Sequence, residues 1–124
     1  MGARILIVED NDEAREILAL VLSMDGFESI QARDGIEALE QARLHRPIAI
    51  ITDIFMPRLD GIDFVRAIRS DPLLQDIPVI AQTAYIAAVQ VHRDLYAAVL
   101  EKPCQPAELL AALASLGITP QTGA

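Results

Sequence analysis

The stretch Ile48-Ala49-Ile50-Ile51-Thr52-Asp53 decides the fold. Four apolar residues, three of them β-branched, are too few for a helix, and after one threonine the run meets a carboxylate. A run of this kind reads as a strand buried on both faces of a parallel sheet. Two others share its plan. Upstream, Ile5-Leu6-Ile7-Val8 ends in Glu9-Asp10; downstream, Ile77-Pro78-Val79-Ile80-Ala81 leads to Thr83. Two weaker strands are predicted at residues 29–32, after the turn Asp25-Gly26, and at residues 98–100, before Lys102-Pro103.

Amphipathic stretches separate the strands. Over residues 13–24, helical spacing puts Ala14, Ile17, Leu18, Val21, Leu22 and Met24 on one face and Arg15, Glu16, Ala19 and Ser23 opposite. Asp12 is the expected cap and Gly26 the expected stop. A second helix is predicted over residues 35–45, stopped by Pro47, and a third over residues 61–70, capped by Asp60 with Pro72 beyond its end. The last begins at Pro106, a good first-turn proline, and buries Leu109, Leu110 and Leu113 before Gly117. Between Thr83 and Ala98 there is room only for a short fourth helix. The pattern is α/β: five β-α units with right-handed crossovers make a doubly wound five-stranded parallel sheet with five helices. The natural strand order is the flavodoxin-like 2-1-3-4-5, whose binding crevice lies at the carboxyl ends of strands 1 and 3.

Composition agrees. A chain of 124 residues is one domain, here residues 1–117 with a flexible tail at residues 118–124. Hydrophobic residues make up 52% but aromatics only 4%, so the core must be aliphatic. The net charge of −8 argues against direct contact with nucleic acid phosphates. One cysteine, Cys104, allows no internal disulfide, and no segment reads as a signal peptide or membrane span. A cytoplasmic protein with no membrane contact is expected.

Placed on this frame, Glu9 and Asp10 follow strand 1, Asp53 follows strand 3, Thr83 follows strand 4 and Lys102 follows strand 5. Each alone has an ordinary explanation as a cap or a solvated loop residue, which is the preferred reading for Asp12 and Asp60. Their coincidence at one sheet edge does not. Three close carboxylates repel unless a cation joins them, and a hard cation with oxygen ligands, Mg²⁺, suits them. No His or Cys belongs to the group, which argues against zinc. A lysine and a hydroxyl beside metal-bound carboxylates are the parts of a phosphoryl-transfer site.

Four motifs, Ile7-Val8-Glu9-Asp10-Asn11, Asp53-Ile54-Phe55-Met56-Pro57-Arg58-Leu59-Asp60-Gly61, Thr83-Ala84 and Lys102-Pro103, stand in an order that resembles the CheY-like receiver domains of response regulators in two-component signalling. The resemblance covers about residues 4–116. It implies that Asp53 accepts a phosphoryl group from the phosphohistidine of a histidine kinase or histidine phosphotransfer protein. It implies that Asp10, Asp53 and the backbone carbonyl of Phe55 bind Mg²⁺, with Glu9 acting through a water. Lys102 would pair with Asp53 and then with the phosphoryl oxygens, and Thr83 would swing toward them and pass the signal to a downstream protein effector. Such a domain catalyses only its own phosphorylation and dephosphorylation. The alternative within the family is a binding module that works without phosphorylation.

The resemblance has gaps. The family's aromatic residue three positions before the lysine is Val99 here, and Tyr96 is expected to point to the other face. The span from Thr83 to Lys102 is about three residues shorter than in the family, nearly one helical turn, and Leu95 stands where a glycine is common. No dimer mode or partner contact is carried over to this face. Phe55 and Tyr85, two residues beyond Asp53 and Thr83, are bulky enough to hold back the attacking water, so a slowly hydrolysed phosphoaspartate is expected. His45 and His92 read as surface residues, Met24 and Met56 as packing, and Cys104 as a small buried filler.

Other classes fit poorly. A phosphohydrolase with an aspartate nucleophile needs an acid-base aspartate where Phe55 stands. A flavodoxin-like cofactor protein needs a phosphate loop where Glu9-Asp10-Asn11-Asp12 would repel the ligand. No DNA-binding segment follows residue 117, and a stand-alone receiver is expected slightly ahead of one domain of a longer protein.

Overall fold

The computed structural model describes residues 4–55 and 60–120; the readings that concern Met56, the rest of its motif through Leu59 and the tail from 121 onward lie outside them. The strands are β1 (Arg4–Val8), β2 (Glu28–Ala32), β3 (Ala49–Asp53), β4 (Val79–Thr83) and β5 (Ala98–Glu101). They form one parallel sheet in the order β2-β1-β3-β4-β5, as expected. The helices are α1 (Asp12–Met24), α2 (Gly35–His45), α3 (Gly61–Ser70), a 3₁₀ segment (Ile86–Leu95) and α4 (Pro106–Ser115). No helix among the described residues is long and apolar enough to cross a membrane.

Strand alternation sorts the core into two layers. Leu6, Val8, Ile50, Val79 and Ala81 face α2 and α3, where they meet Ala38, Ala42, Phe64, Val65 and Ile68. Ile5, Ile7, Ala49, Ile51 and Ile80 face the other way, against Leu22 of α1 and Leu109 and Leu113 of α4. With both faces covered, the strands need no polar side, which is why they read as continuous apolar runs.

The predicted bounds of α2 and α3 match, with Asp34 and Asp60 accepting backbone N–H bonds at their N-termini. Helix α1 departs from expectation. Its cap is Asn11, whose side chain accepts from Ala14 N–H at 2.8 Å, while Asp12 lies in the first turn and pairs with Arg15. Its buried face is rotated as well: Arg15 is only 8% exposed, whereas Ile17 and Met24 are exposed. Arg15 turns inward where the buried Glu9 carbonyl and the Gln31 side chain receive its guanidinium.

The expected short fourth helix is a ten-residue 3₁₀ segment. A 3₁₀ helix rises about 2.0 Å per residue against about 1.5 Å in an α-helix. Ten residues therefore reach about 5 Å farther than they would as an α-helix. At the C-terminus, Ile118 is buried beside Phe27 in the α1/α4 layer, so the packed unit continues past residue 117. Gly26, at φ +90, packs against Pro120: a Cβ there would come within 3.2 Å of the proline ring.

Candidate functional site

The carboxyl ends of β1, β3, β4 and β5 place the expected polar residues together. Carboxylate oxygens of Glu9, Asp10 and Asp53 lie within 4.8 Å of one another. Lys102 Nζ donates to Glu9 Oε1 and to Asp53 Oδ2, both at 2.8 Å. The other oxygen of Asp53 accepts from Ile54 N–H at 2.7 Å, and the other oxygen of Glu9 accepts from Asn11 N–H at 3.2 Å. Glu9 is buried and Asp10 is exposed, so the cluster has a held floor and an open lip.

Burial alone would lower the pKa of Lys102, but hydrogen bonds and charge from Asp53 and Glu9 outweigh it and hold the ammonium above its ordinary value. Even so, one ammonium does not neutralise three carboxylates. The donor set is all oxygen, compact and open on one side, which fits a small hard cation that keeps part of its water shell. Asp10 and Asp53, with the Phe55 carbonyl in the loop after β3, are the residues that could hold it.

Thr83 is fully buried. Its carbonyl accepts from Lys102 N–H at 2.8 Å, tying β4 to the lysine, and its hydroxyl accepts from Tyr85 N–H at 3.0 Å. The peptide after Lys102 is cis. Over the rim, the rings of Phe55 and Tyr85 meet edge to face at 5.5 Å and 88°. Each is more than half exposed, yet together they bridge the loops after β3 and β4.

Three residues of this neighbourhood escaped the sequence reading. Arg15 donates to Glu9 O at 3.0 Å, to Gln31 Oε1 at 3.1 Å and to Asp12 Oδ1 at 2.6 Å, fixing the backbone that carries two of the carboxylates. The spacing of Asp12 and Arg15, three residues apart on a helix, was the available signal. Gly61 is the second. A Cβ there would lie 2.6 Å from Asp53 O and 2.8 Å from Ile54 Cα, so only glycine lets α3 start this close to the end of β3.

The third is Tyr96, which corrects an expectation. Its ring joins the same core layer as Val99, and its hydroxyl donates to Gly61 O at 3.0 Å. Strand β5 begins only at Ala98, so strand alternation does not extend back to Tyr96. Burial, then the charge of Asp60, raises the phenol's pKa above its ordinary value, with Arg66 partly opposing. The phenol therefore stays a donor at neutral pH. Of the residues read as bland, Cys104 is half-buried with its thiol pKa pushed up by burial and Glu108, away from reactivity. Met24 is exposed rather than packed. His45 and His92 lie within 3.3 and 3.5 Å of Arg4 and Arg66.

Residues 5–114 match the family model of the response regulator receiver domain. The chain is 38% identical over 122 residues to the response regulator MprA of Mycobacterium ulcerans, covering 94% of this chain and 50% of that protein. It thus spans about half the length of the MprA relatives it matches. Among solved structures, the chemotaxis response regulator CheY4 of Vibrio cholerae superposes with a TM-score of 0.86 at 30% identity, covering 94% of this chain and 99% of that one. The receiver domain of a sensor histidine kinase from Pseudomonas aeruginosa superposes with a TM-score of 0.82 at 32% identity, with coverage of 94% and 99%. That structure holds a magnesium ion coordinated in its active site cleft.

Proposed function

The chain belongs to the receiver domains of response regulators, and from that membership we propose that it accepts a phosphoryl group on Asp53 and changes its partner binding in response. The observation that carries this reading is the bridging of Asp53 and Glu9 by Lys102 inside a three-carboxylate cluster at the open sheet edge.

The donor is a phosphohistidine on a histidine kinase or a histidine phosphotransfer protein. An Asp53 oxygen forms the new bond to phosphorus as the phosphorus–nitrogen bond breaks; the donor ring, already protonated on its other nitrogen, keeps that electron pair and leaves as neutral imidazole. Ile54 N–H and Lys102 hold the carboxylate in place before reaction. As negative charge spreads over the transferring oxygens, the Lys102 ammonium stands within reach to stabilise it. Thr83, once its hydroxyl leaves Tyr85 N–H, supplies a further hydrogen bond. Asp10, Asp53 and the Phe55 carbonyl would hold Mg²⁺, with Glu9 beside them; when bound, the ion would supply the positive charge that lets phosphate approach three carboxylates. The chain then catalyses only the gain and loss of its own phosphoryl group. A cytoplasmic setting and a downstream protein effector belong to the same reading.

The test is intact mass after treatment with a small-molecule phosphodonor and magnesium. One added phosphoryl group, absent without magnesium and absent in Asp53→Ala, is expected. No mass gain, or a gain that survives Asp53→Ala, overturns the reading.

A further inference from the structure

The 3₁₀ segment is tied to α3 at neighbouring residues. Leu95 O accepts from Arg69 Nη2 at 3.1 Å, and the same guanidinium donates through Nη1 to Ile77 O at 2.8 Å and Gln75 O at 3.0 Å. Tyr96 Oη donates to Gly61 O at 3.0 Å. Gly61 and Arg69 stand at opposite ends of α3, about 12 Å apart along its axis. The two ties therefore pull on one end of the segment from different ends of one helix.

Of these two ties, the one through Tyr96 runs into the acceptor loop. Gly61 N–H donates to Ile54 O at 2.7 Å, and the Gly61 Cα sits so close to Asp53 O that a Cβ would overlap it. The peptide units after Asp53 and around Gly61 are thus in contact, and one cannot shift by much without the other. The bond from the Tyr96 hydroxyl to Gly61 O is buried, so losing that acceptor would leave a buried donor unpaired at a cost. Val99, on the same side of the sheet, offers only methyl groups to such a relay.

We propose that Tyr96, through the Gly61 peptide, couples the state of Asp53 to the hold on residues 86–97. When the acceptor loop adjusts to a phosphoryl group, the Gly61 carbonyl moves with it, and the Tyr96 hydroxyl follows or lets go. Tyr96 is a positioning residue here, and the inference rests on Asp53 being the acceptor.

The experiment is hydrogen exchange across residues 84–97 in the full chain, with and without phosphodonor and magnesium, while intact mass reports phosphorylation. In the native chain, phosphorylation should change exchange of this segment about fivefold or more. In Tyr96→Phe, mass gain should persist and that difference should disappear. In Arg69→Gln, exchange should rise in both states and the difference should remain. An undiminished difference in Tyr96→Phe overturns the coupling. So does its equal loss in Arg69→Gln, because any loosening would then suffice. A native chain that gains mass but shows no difference also overturns it; one that gains no mass removes the acceptor reading and the coupling together.

A second measurement does not depend on the folding of Tyr96→Phe. The sequence has two tyrosines and no tryptophan, so Tyr85→Phe leaves Tyr96 as the sole strong emitter. Its emission should change on phosphorylation, and unchanged emission in a protein that has gained mass overturns the proposal.

Discussion

The carboxylate crevice and the face formed by α3 with the 3₁₀ segment differ in how they are built. In the crevice, each polar group stands at or just beyond a strand end, and the parallel register brings Glu9, Asp53, Thr83 and Lys102 to one edge. On the other face, contacts join residues with no shared register: Arg69 reaches Leu95 and Tyr96 reaches Gly61. The crevice keeps the full set of expected groups, while the second face has a shortened crossover and a tyrosine in an unexpected role. The sheet edge thus places its groups through strand order and register, whereas the second face is assembled from the particular side chains that pack there.

The largest expected effect belongs to the crevice alone. Lys102→Ala should slow uptake from a small phosphodonor by about 10²–10³-fold, the scale for removing a preorganised charge stabiliser. A mass-detected time course checks it, and a rate within about threefold of the native chain would remove Lys102 from the reaction. Next comes the joint between the two regions. Gly61→Ala must push the Asp53 and Ile54 backbone aside, at a cost of about 1–3 kcal/mol in urea unfolding. It should also slow phosphoryl uptake, since the displaced carbonyl adjoins the acceptor. An alanine variant of native stability and rate would mean that the close approach constrains nothing.

The rim gives a smaller change. With Phe55 and Tyr85 in contact, the phosphoaspartate should hydrolyse slowly, over minutes or longer. Replacing both rings by alanine should shorten its lifetime about tenfold, on the order of 1.4 kcal/mol in barrier. A native half-life of seconds in magnesium, or no effect of the double variant, argues against the rings as a water screen. The smallest effect is a control outside both regions. Asp34 caps α2 by accepting from Glu37 N–H at 2.8 Å, so Asp34→Ala should lose about 1 kcal/mol of stability with unchanged uptake. Coupled loss of uptake would show that the crevice depends on general stability rather than on its own contacts.

Sequence alone determined the strand order, the bounds of α2 and α3, and the residues of the crevice. Those features follow from local period and from the rule that parallel α/β sheets gather ligand groups at strand ends. Tertiary structure decided where Arg15 points, because its partners Glu9 O and Gln31 come from the end of β1 and from β2. It likewise decided that Ile118 enters the core and that Ile17 and Met24 stay outside it. Tyr96 shows the division most clearly: its acceptor lies 35 residues away in the chain, and no periodicity in residues 84–102 can specify a partner on another helix. Repeating local patterns encode which face a residue takes; which group it meets there is fixed only when the layers close.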